Sequence, residues 1–377
     1  MIAVGLYVHV PFCRTRCGYC DFNAYAGLDD LAPRYVRALA AEASLVAPAG
    51  GDARFTTVFV GGGTPTTLPP TSLERLLAEL RAILPIDDDA EVTIEANPET
   101  VDEGSLGRLR AAGYRRLSLG AQSFDRVVLA RLERGHDPDA VGRAVRAARR
   151  AGFDNVNLDL IYGVDGEGLA SWRETLRATI ALGPEHVSAY ALTIEPATPL
   201  GRQVADGLRP APDPDVQADM YEQACELLGA AGYRHYEVSN WARPGFECRH
   251  NLGYWRRHPY LGLGAGAHSA RGPARWWNLR PPRAYLASVE AGSPPVGGAE
   301  ELTSEQIELE ERFLRLRTRE GVAPDGLDPA VVDGLVDAGL LERAPAGLIP
   351  TERGLLLVNE LVLALVPQRP RAPATAG

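Results

Sequence analysis

Leu6-Tyr7-Val8-His9-Val10-Pro11-Phe12-Cys13-Arg14-Thr15-Arg16-Cys17-Gly18-Tyr19-Cys20 opens the chain, and its reading decides the rest. An apolar β-like run leads directly into three cysteines spaced C-x3-C-x2-C. An ordinary [4Fe–4S] cluster takes four thiolates. Three thiolates hold three corners of a cubane and leave one iron open for another ligand. The rival is zinc, which in structural sites wants four ligands, commonly two C-x2-C pairs. No second pair follows; the next cysteine is Cys225, and His9, which could complete a set, lies within the apolar run. Ligand count and spacing favour iron and sulfide over zinc. Five cysteines, an odd number, and no leader-like start point to a reducing compartment and a cytoplasmic protein rather than to disulfides.

Outward from that loop, short β-rich runs alternate with amphipathic ones, the pattern of parallel strands joined by crossover helices. Six strands are expected, at residues 6–10, 56–60, 91–95, 116–120, 155–161 and 187–194. Leu73, Leu76, Leu77, Leu80 and Leu84 recur at helical spacing behind a Thr71/Glu74 capping box. Asp137-Pro138 and Asp213-Pro214 read as N-cap plus first-turn proline. Gly113, Gly152 and Gly232 stand where helix ends need a left-handed residue. Six βα units fit an open (β/α)6 barrel or a doubly wound sheet, and periodicity alone does not separate them.

Ligands of such folds gather at the carboxyl ends of the strands. Polar and glycine residues recur there: Gly61-Gly62-Gly63-Thr64-Pro65, Glu95-Ala96-Asn97-Pro98, Gly120-Ala121-Gln122-Ser123-Phe124, and Asn157 and Asp159 within an apolar strand. Glycines let a ligand approach the backbone and expose amide donors. Buried carboxylates and amides are costly unless paired, so each could simply bond a neighbouring backbone group, but their repetition points to a shared ligand.

The chain has 377 residues and a formal charge of −10. That charge argues against general nucleic-acid binding. Every basic side chain is Arg, so lysine Schiff-base chemistry is excluded. The most apolar run, residues 355–366, is too short to span a bilayer and reads as a buried helix. Peripheral membrane contact and homodimerisation stay open. The expected domains are a core at 1–240, a closing segment and linker at 241–299 with residues 292–298 Pro/Gly-rich, a C-terminal domain at 300–366, and a disordered tail at 367–377. In the C-terminal domain a Thr303/Gln306 capping box opens a helix. A short helix at 329–338, a hairpin at 342–351 and a final helix follow, a winged-helix-like order.

The motifs named so far, with Leu119-Gly120-Ala121-Gln122-Ser123-Phe124 and Asp159-Leu160-Ile161-Tyr162-Gly163, resemble the HemN/HemW branch of the radical S-adenosylmethionine (SAM) superfamily. The resemblance covers residues 4–366 and implies an α/β fold, a partial (β/α)6 radical SAM barrel with a small C-terminal winged-helix-like domain. It also implies that Cys13, Cys17 and Cys20 hold the cluster, and that the open iron chelates SAM for one-electron cleavage to a 5′-deoxyadenosyl radical. Tyr7, Tyr19, Gly62, Gly63, Thr64 and Glu95 would contact SAM. Gln122, Arg134 and Asp159 match positions that help hold a second SAM in the dehydrogenase members.

The branch contains oxygen-independent coproporphyrinogen III dehydrogenases and heme chaperones. The dehydrogenases carry a fourth cysteine where this chain has Phe22, and an N-terminal extension where this chain starts twelve residues ahead of Cys13. His250-Asn251-Leu252-Gly253-Tyr254-Trp255 matches the H-N-x-x-Y-W motif of the chaperones. The resemblance thus implies a heme chaperone, its heme near His250, Tyr254 and Trp255, serving heme-requiring client proteins. Radical decarboxylation of porphyrinogen propionates is the alternative. An imidazole can ligate heme iron and aromatic rings can cover a porphyrin face. The residues alone favour His250 as a hydrogen-bonded core residue in an aromatic cluster that closes the barrel. Cys248 is a rival soft ligand, and Cys225 reads as a small buried hydrophobe.

Overall fold

The computed structural model describes residues 2–47, 53–345 and 347–365. They divide into two compact units, Met1–His235 with Ser239–Leu302, and Tyr236–Val238 with Thr303–Gly377.

In the large unit six parallel strands run side by side in chain order: β1 (Ile2–Val10), β2 (Ala53–Gly62), β3 (Ile86–Ala96), β4 (Arg116–Gln122), β5 (Asn155–Tyr162) and β6 (His186–Ala191). Strictly sequential order has no switch point, which rules out the doubly wound sheet. Right-handed crossovers that all advance in one direction place their helices on one face and leave the other free. The side chains follow that division, because successive residues of a strand point to opposite faces. Leu6, Val8, Val10, Val58, Val60, Val92, Ile94, Leu117, Leu119, Val156, Leu158 and Leu160 are the buried apolar set. Between them alternate Tyr7, His9, Thr57, Glu91, Thr93, Glu95, Arg116, Ser118, Asn157, Asp159, His186 and Ser188. The result is an open, partial barrel with a polar interior.

The crossover helices are α1 (Ala32–Val46), α2 (Pro70–Ile83), α3 (Glu103–Ala112), α4 (Pro138–Arg150) and α5 (Leu169–Leu182). The leucine stripe of α2 is buried as expected. Its capping box is not formed, because Pro70 already sits at the first helical position and puts Thr71 inside the first turn. Asp137 does cap α4, accepting from Ala140 N–H at 2.8 Å. Gly113, Gly152 and Gly232 all have positive φ.

Strand β3 begins at Ile86, well before the expected residue 91. The extension includes the acidic Asp87-Asp88-Asp89 run, where Arg54 pairs with Asp87 at 2.5 Å and Arg115 donates to the Asp88 carbonyl. Conversely β6 stops at Ala191, short of Ile194.

The sheet continues beyond β6 through β7 (Asn240–Ala242), antiparallel. Beyond β1 it continues through β8 (Tyr260–Leu263), parallel, with Gly5 opposite Tyr260. An antiparallel meander of β9 (His268–Arg271), β10 (Ala274–Asn278) and β11 (Val296–Glu301) follows. Residues 296–298, read as linker, are therefore an edge strand paired with β10; two glycines disguise it. The meander is tied to α1 through Glu42. That buried carboxylate accepts from Gly264 N–H (2.8 Å), Tyr285 O–H (2.7 Å) and Asn278 Nδ2 (2.5 Å). Burial pushes its carboxyl up to about 7.

In the small unit, helices Ser304–Arg315 and Pro329–Asp337 precede the hairpin Leu341–Ala344/Gly347–Pro350 and two short helices, Glu352–Leu356 and Val358–Leu365. The Thr303/Gln306 capping box is formed. Leu316, Val322, Val332, Leu341, Leu348, Leu361 and Val362 share one core. The expected single final helix is broken at Leu357, which takes φ −103°, ψ 29°. The expected tail at 367–377 lies outside the described residues. Among the described residues no helix is long and apolar enough to cross a membrane.

Candidate functional site

A cavity of about 420 Å³ opens at the carboxyl ends of the six strands. Cys13, Cys17 and Cys20 line one side; Gly62, Gly63, Thr64, Glu95, Asn97, Ser118, Gly120, Gln122, Arg134 and Asp159 are among the residues that line the remainder. All three thiols are free and partly exposed. Burial pushes the Cys13 and Cys20 thiols up. Thiols spread along the wall of a roomy cavity differ from the closed tetrahedron of a structural zinc site.

The cysteine loop is fixed at several points. Leu200 N–H donates to Gly18 O, Tyr25 N–H to Pro11 O, and Thr64 N–H to Phe12 O. His9 Nε2 lies 3.0 Å from Asn23 O, and the Asn23 amide donates to Ala265 O (2.9 Å) and Arg280 O (3.0 Å). Tyr19 packs on the apolar cluster of Val128, Leu132, Ile161, Val164, Leu192 and Leu200.

The glycine turn works differently from the expectation. The amides of Gly62 and Gly63 do not face the cavity as free donors: Gly62 N–H donates to Glu95 Oε2 (3.0 Å) and Gly63 N–H to Val10 O (2.8 Å). What the turn requires is the missing side chain. A Cβ on Gly63 would lie 2.6 Å from Phe12 O, and Gly62 has φ +113° against the His9 ring.

Glu95 and Asp159 are half-buried carboxylates facing one cavity. Asp159 accepts from Ser118 Oγ (2.8 Å) and Asn157 Nδ2 (2.9 Å); Asn157 Oδ1 in turn meets His186 Nδ1 at 2.6 Å. Burial, then the charge of Asp159, lifts the Glu95 carboxyl to about 7, and burial raises Asp159 as well. Two acids held against their ionisation favour a cationic ligand with hydroxyl donors, which would relieve both desolvation and repulsion. Gln122 holds φ +62° at the end of β4, a strained position for a non-glycine residue beside the cavity. The donor set, the glycine cradle and the cavity fit a three-cysteine cluster with SAM beside it.

Tyr7, expected among these residues, is not on the cavity wall; its hydroxyl bonds His9 Nδ1 at 2.9 Å and its ring lies against Phe59. Asn97 and Ser118 do line the cavity. Asn97 was visible only as a polar residue at a strand end, and Ser118 gave no signal.

His250, Tyr254 and Trp255 lie elsewhere, at the amino ends of the strands on helix Arg249–Trp255. The helix starts on Glu91, which accepts from Arg249 N–H (3.1 Å), His250 N–H (3.2 Å) and Cys248 Sγ (3.7 Å). His250 is 3% exposed, and both ring nitrogens are engaged, Nδ1 with Thr57 Oγ1 (2.8 Å) and Nε2 with the Tyr254 hydroxyl (2.9 Å). Its ring stacks on Phe59. Burial lowers its pKa to about 3, so it is neutral. The cleft beside it measures about 30 Å³, room for one water. Cys225 is buried in helix Pro214–Ala230.

A family model described as the radical SAM superfamily matches residues 7–179. Heme chaperone HemW of Mycobacterium tuberculosis (strain ATCC 25618 / H37Rv) is 44% identical over 368 residues, covering 96% of this chain and 94% of that protein. Heme chaperone HemW of Bacillus subtilis (strain 168) is 36% identical, covering 94% and 97%. The solved structure of coproporphyrinogen III oxidase (HemN) from Escherichia coli superposes with a TM-score of 0.84 at 25% identity, covering 97% of this chain and 90% of that one. The chain belongs to the radical SAM superfamily and, within it, to the heme chaperone HemW family, and membership implies a [4Fe–4S] cluster and SAM.

Proposed function

We propose that this chain binds heme and delivers it to heme-requiring client proteins in the cytoplasm, on a scaffold whose Cys13, Cys17 and Cys20 hold a [4Fe–4S] cluster beside SAM. The observation that carries the reading is one cavity where three cysteines, a glycine turn and two half-buried acids converge, in a chain matched nearly end to end by heme chaperones. When bound, the cluster and SAM supply one-electron chemistry.

The chain's own residues do the positioning. Gly62 and Gly63 let the turn pack tightly against His9 and Phe12, which brings its backbone to the cavity wall where the methionine end of SAM would lie. Glu95 and Asp159 offer carboxylate oxygens to its ammonium and ribose hydroxyls, and Gln122 offers a polar edge. Tyr19 closes the cavity from the cysteine loop.

Heme is assigned to the His250–Trp255 segment. Ligation by His250 requires its Thr57 or Tyr254 bond to break and helix Arg249–Trp255 to move outward, because the cleft there holds no macrocycle. Trp255 supports this role: its Nε1 is buried without a hydrogen-bond partner, so that movement costs it no hydrogen bond.

Heme titration into wild-type and His250→Ala protein tests the assignment. A changed absorption spectrum with at least tenfold weaker binding is expected; identical spectra and affinity remove His250 from the site. Anaerobic incubation with reductant, SAM and coproporphyrinogen III tests the rival. Formation of protoporphyrinogen IX would replace the chaperone reading with the dehydrogenase one.

A further inference from the structure

Two of the three cysteines are joined by a continuous hydrogen-bond chain. Arg134 Nη1 lies 3.6 Å from Cys17 Sγ. Arg134 Nη2 donates to Asn97 Oδ1 at 2.5 Å and to Gly120 O at 3.1 Å. Asn97 Nδ2 donates to Thr64 Oγ1 at 3.2 Å, and Thr64 Oγ1 lies 3.7 Å from Cys13 Sγ. Gly120 keeps the path open, since a Cβ there would come within 3.1 Å of Asn97 Oδ1 and 3.3 Å of Arg134 Nη2.

The direction of this chain is fixed by its chemistry. Arginine only donates, so the Asn97 atom facing it is the acceptor oxygen and the amide nitrogen must point to Thr64. Thr64 Oγ therefore accepts from Asn97, and its own hydrogen is free for Cys13. Both ends present a donor to sulfur, N–H at Cys17 and O–H at Cys13. Donors to cluster sulfurs, and a nearby positive charge, stabilise the extra electron of the reduced state and raise the reduction potential.

We propose that Arg134, Asn97 and Thr64 are positioning residues that act on the cluster through the sulfurs of Cys17 and Cys13, setting its potential. This rests on the reading that those cysteines hold the cluster. Arg134 spends these donors on Cys17, Asn97 and Gly120, which gives it a role apart from holding a cavity ligand.

The test is an EPR-monitored redox titration of anaerobically reconstituted full-length protein without SAM, comparing wild type, Thr64→Val, Thr64→Ser, Arg134→Met and Arg134→Lys. Thr64→Val is close to isosteric and removes the hydroxyl, which is both the donor to Cys13 and the acceptor of the Asn97 amide. At a fixed applied potential, Thr64→Val and Arg134→Met should each lower the reduced-to-oxidised ratio at least tenfold, a shift of about 59 mV for a one-electron couple. Thr64→Ser should match wild type, and Arg134→Lys should fall between. The Thr64→Val, Arg134→Met double variant should shift by less than the sum, because losing Arg134 lets Asn97 rotate and already disturbs Thr64. Full iron and sulfide with unshifted potentials in both Thr64→Val and Arg134→Met would overturn the inference. If Arg134→Met does not assemble a cluster, Thr64→Val against Thr64→Ser decides. Wild-type protein that takes up no iron and sulfide would instead overturn the reading on which it rests.

Discussion

The two ends of the barrel are built from the same kinds of residue and differ in what is left over. At the carboxyl end, Glu95 and Asp159 face a cavity of about 420 Å³ with three free thiols in its wall. At the amino end, Glu91, His250, Thr57 and Tyr254 are bonded to one another and to the start of a helix, around a cleft of about 30 Å³. A polar cluster in a barrel is not in itself a site. Room beside it, and groups held against their preferred charge, mark the end that awaits a ligand. The amino end has its polar groups satisfied as it stands.

Breaking the cysteine loop should give the largest effect. Cys13→Ala, Cys17→Ala or Cys20→Ala should each lose nearly all iron and sulfide after anaerobic reconstitution, measured per chain. Thermal unfolding of the apo-protein should hardly change, because these side chains are partly exposed. A matching loss of iron in a Glu91→Ala control would blur the contrast between the ends.

That control should fail in another way. Glu91→Ala leaves the buried His250 amide and the partly buried Arg249 amide without their acceptor and should cost about 3 kcal/mol in denaturant unfolding while leaving iron content intact. Gly63→Ala comes next. Its Cβ meets the backbone just ahead of Cys13, so SAM affinity of the reconstituted protein, by calorimetry, should fall about tenfold, or roughly 1.4 kcal/mol, with iron retained.

A pair of pH dependences sharpens the comparison most, because the two ends respond with opposite sign and each change is spread over several pH units. Glu95 titrates near 7 when folded and near 4.5 when unfolded, so between those values the folded chain keeps a proton that the unfolded one releases. Its contribution weakens as pH rises through that window. His250 titrates near 3 folded and 6.5 unfolded, so the unfolded chain takes up a proton the folded one refuses. Its contribution weakens as pH falls through that window. Each amounts to at most about 1.4 kcal/mol per pH unit. Unfolding free energies across pH should therefore show Glu95→Gln gaining on wild type as pH rises from 4.5 to 7, and His250→Gln gaining as pH falls from 6.5 to 3. Gains in the same direction would sink the contrast.

Much of this was legible in the sequence where the signal is local. The cysteine spacing, the α2 leucine stripe and the polar residues at strand ends each lie within a few residues of one another. What escaped is set by distant partners. Asp87-Asp88-Asp89 becomes strand because Arg54 and Arg115 lie alongside it. Tyr260–Leu263, His268–Arg271, Ala274–Asn278 and Val296–Glu301 become short strands by pairing outward from β1, with helix Pro282–Glu290 between the last two, and their Gly and Arg content hides it. The Gly62 and Gly63 amides looked free because their acceptors, Glu95 and Val10, come from other parts of the chain. Arg134 and Asn97 sit on separate elements, and nothing in either neighbourhood predicts that one guanidinium reaches Cys17.

The pairing of Gly5 with Tyr260, and the Asn23 amide resting on Ala265 and Arg280, carry a consequence for biosynthesis. Strand β1 receives its outer neighbour only after roughly 250 further residues have been translated, and domains generally mature from the N-terminus onward. Until then the nascent chain exposes a bare strand edge, a hazard for aggregation. The scaffold around its first cysteines is finished late, so a truncated translation product would carry every cysteine of the motif without the frame that orders them.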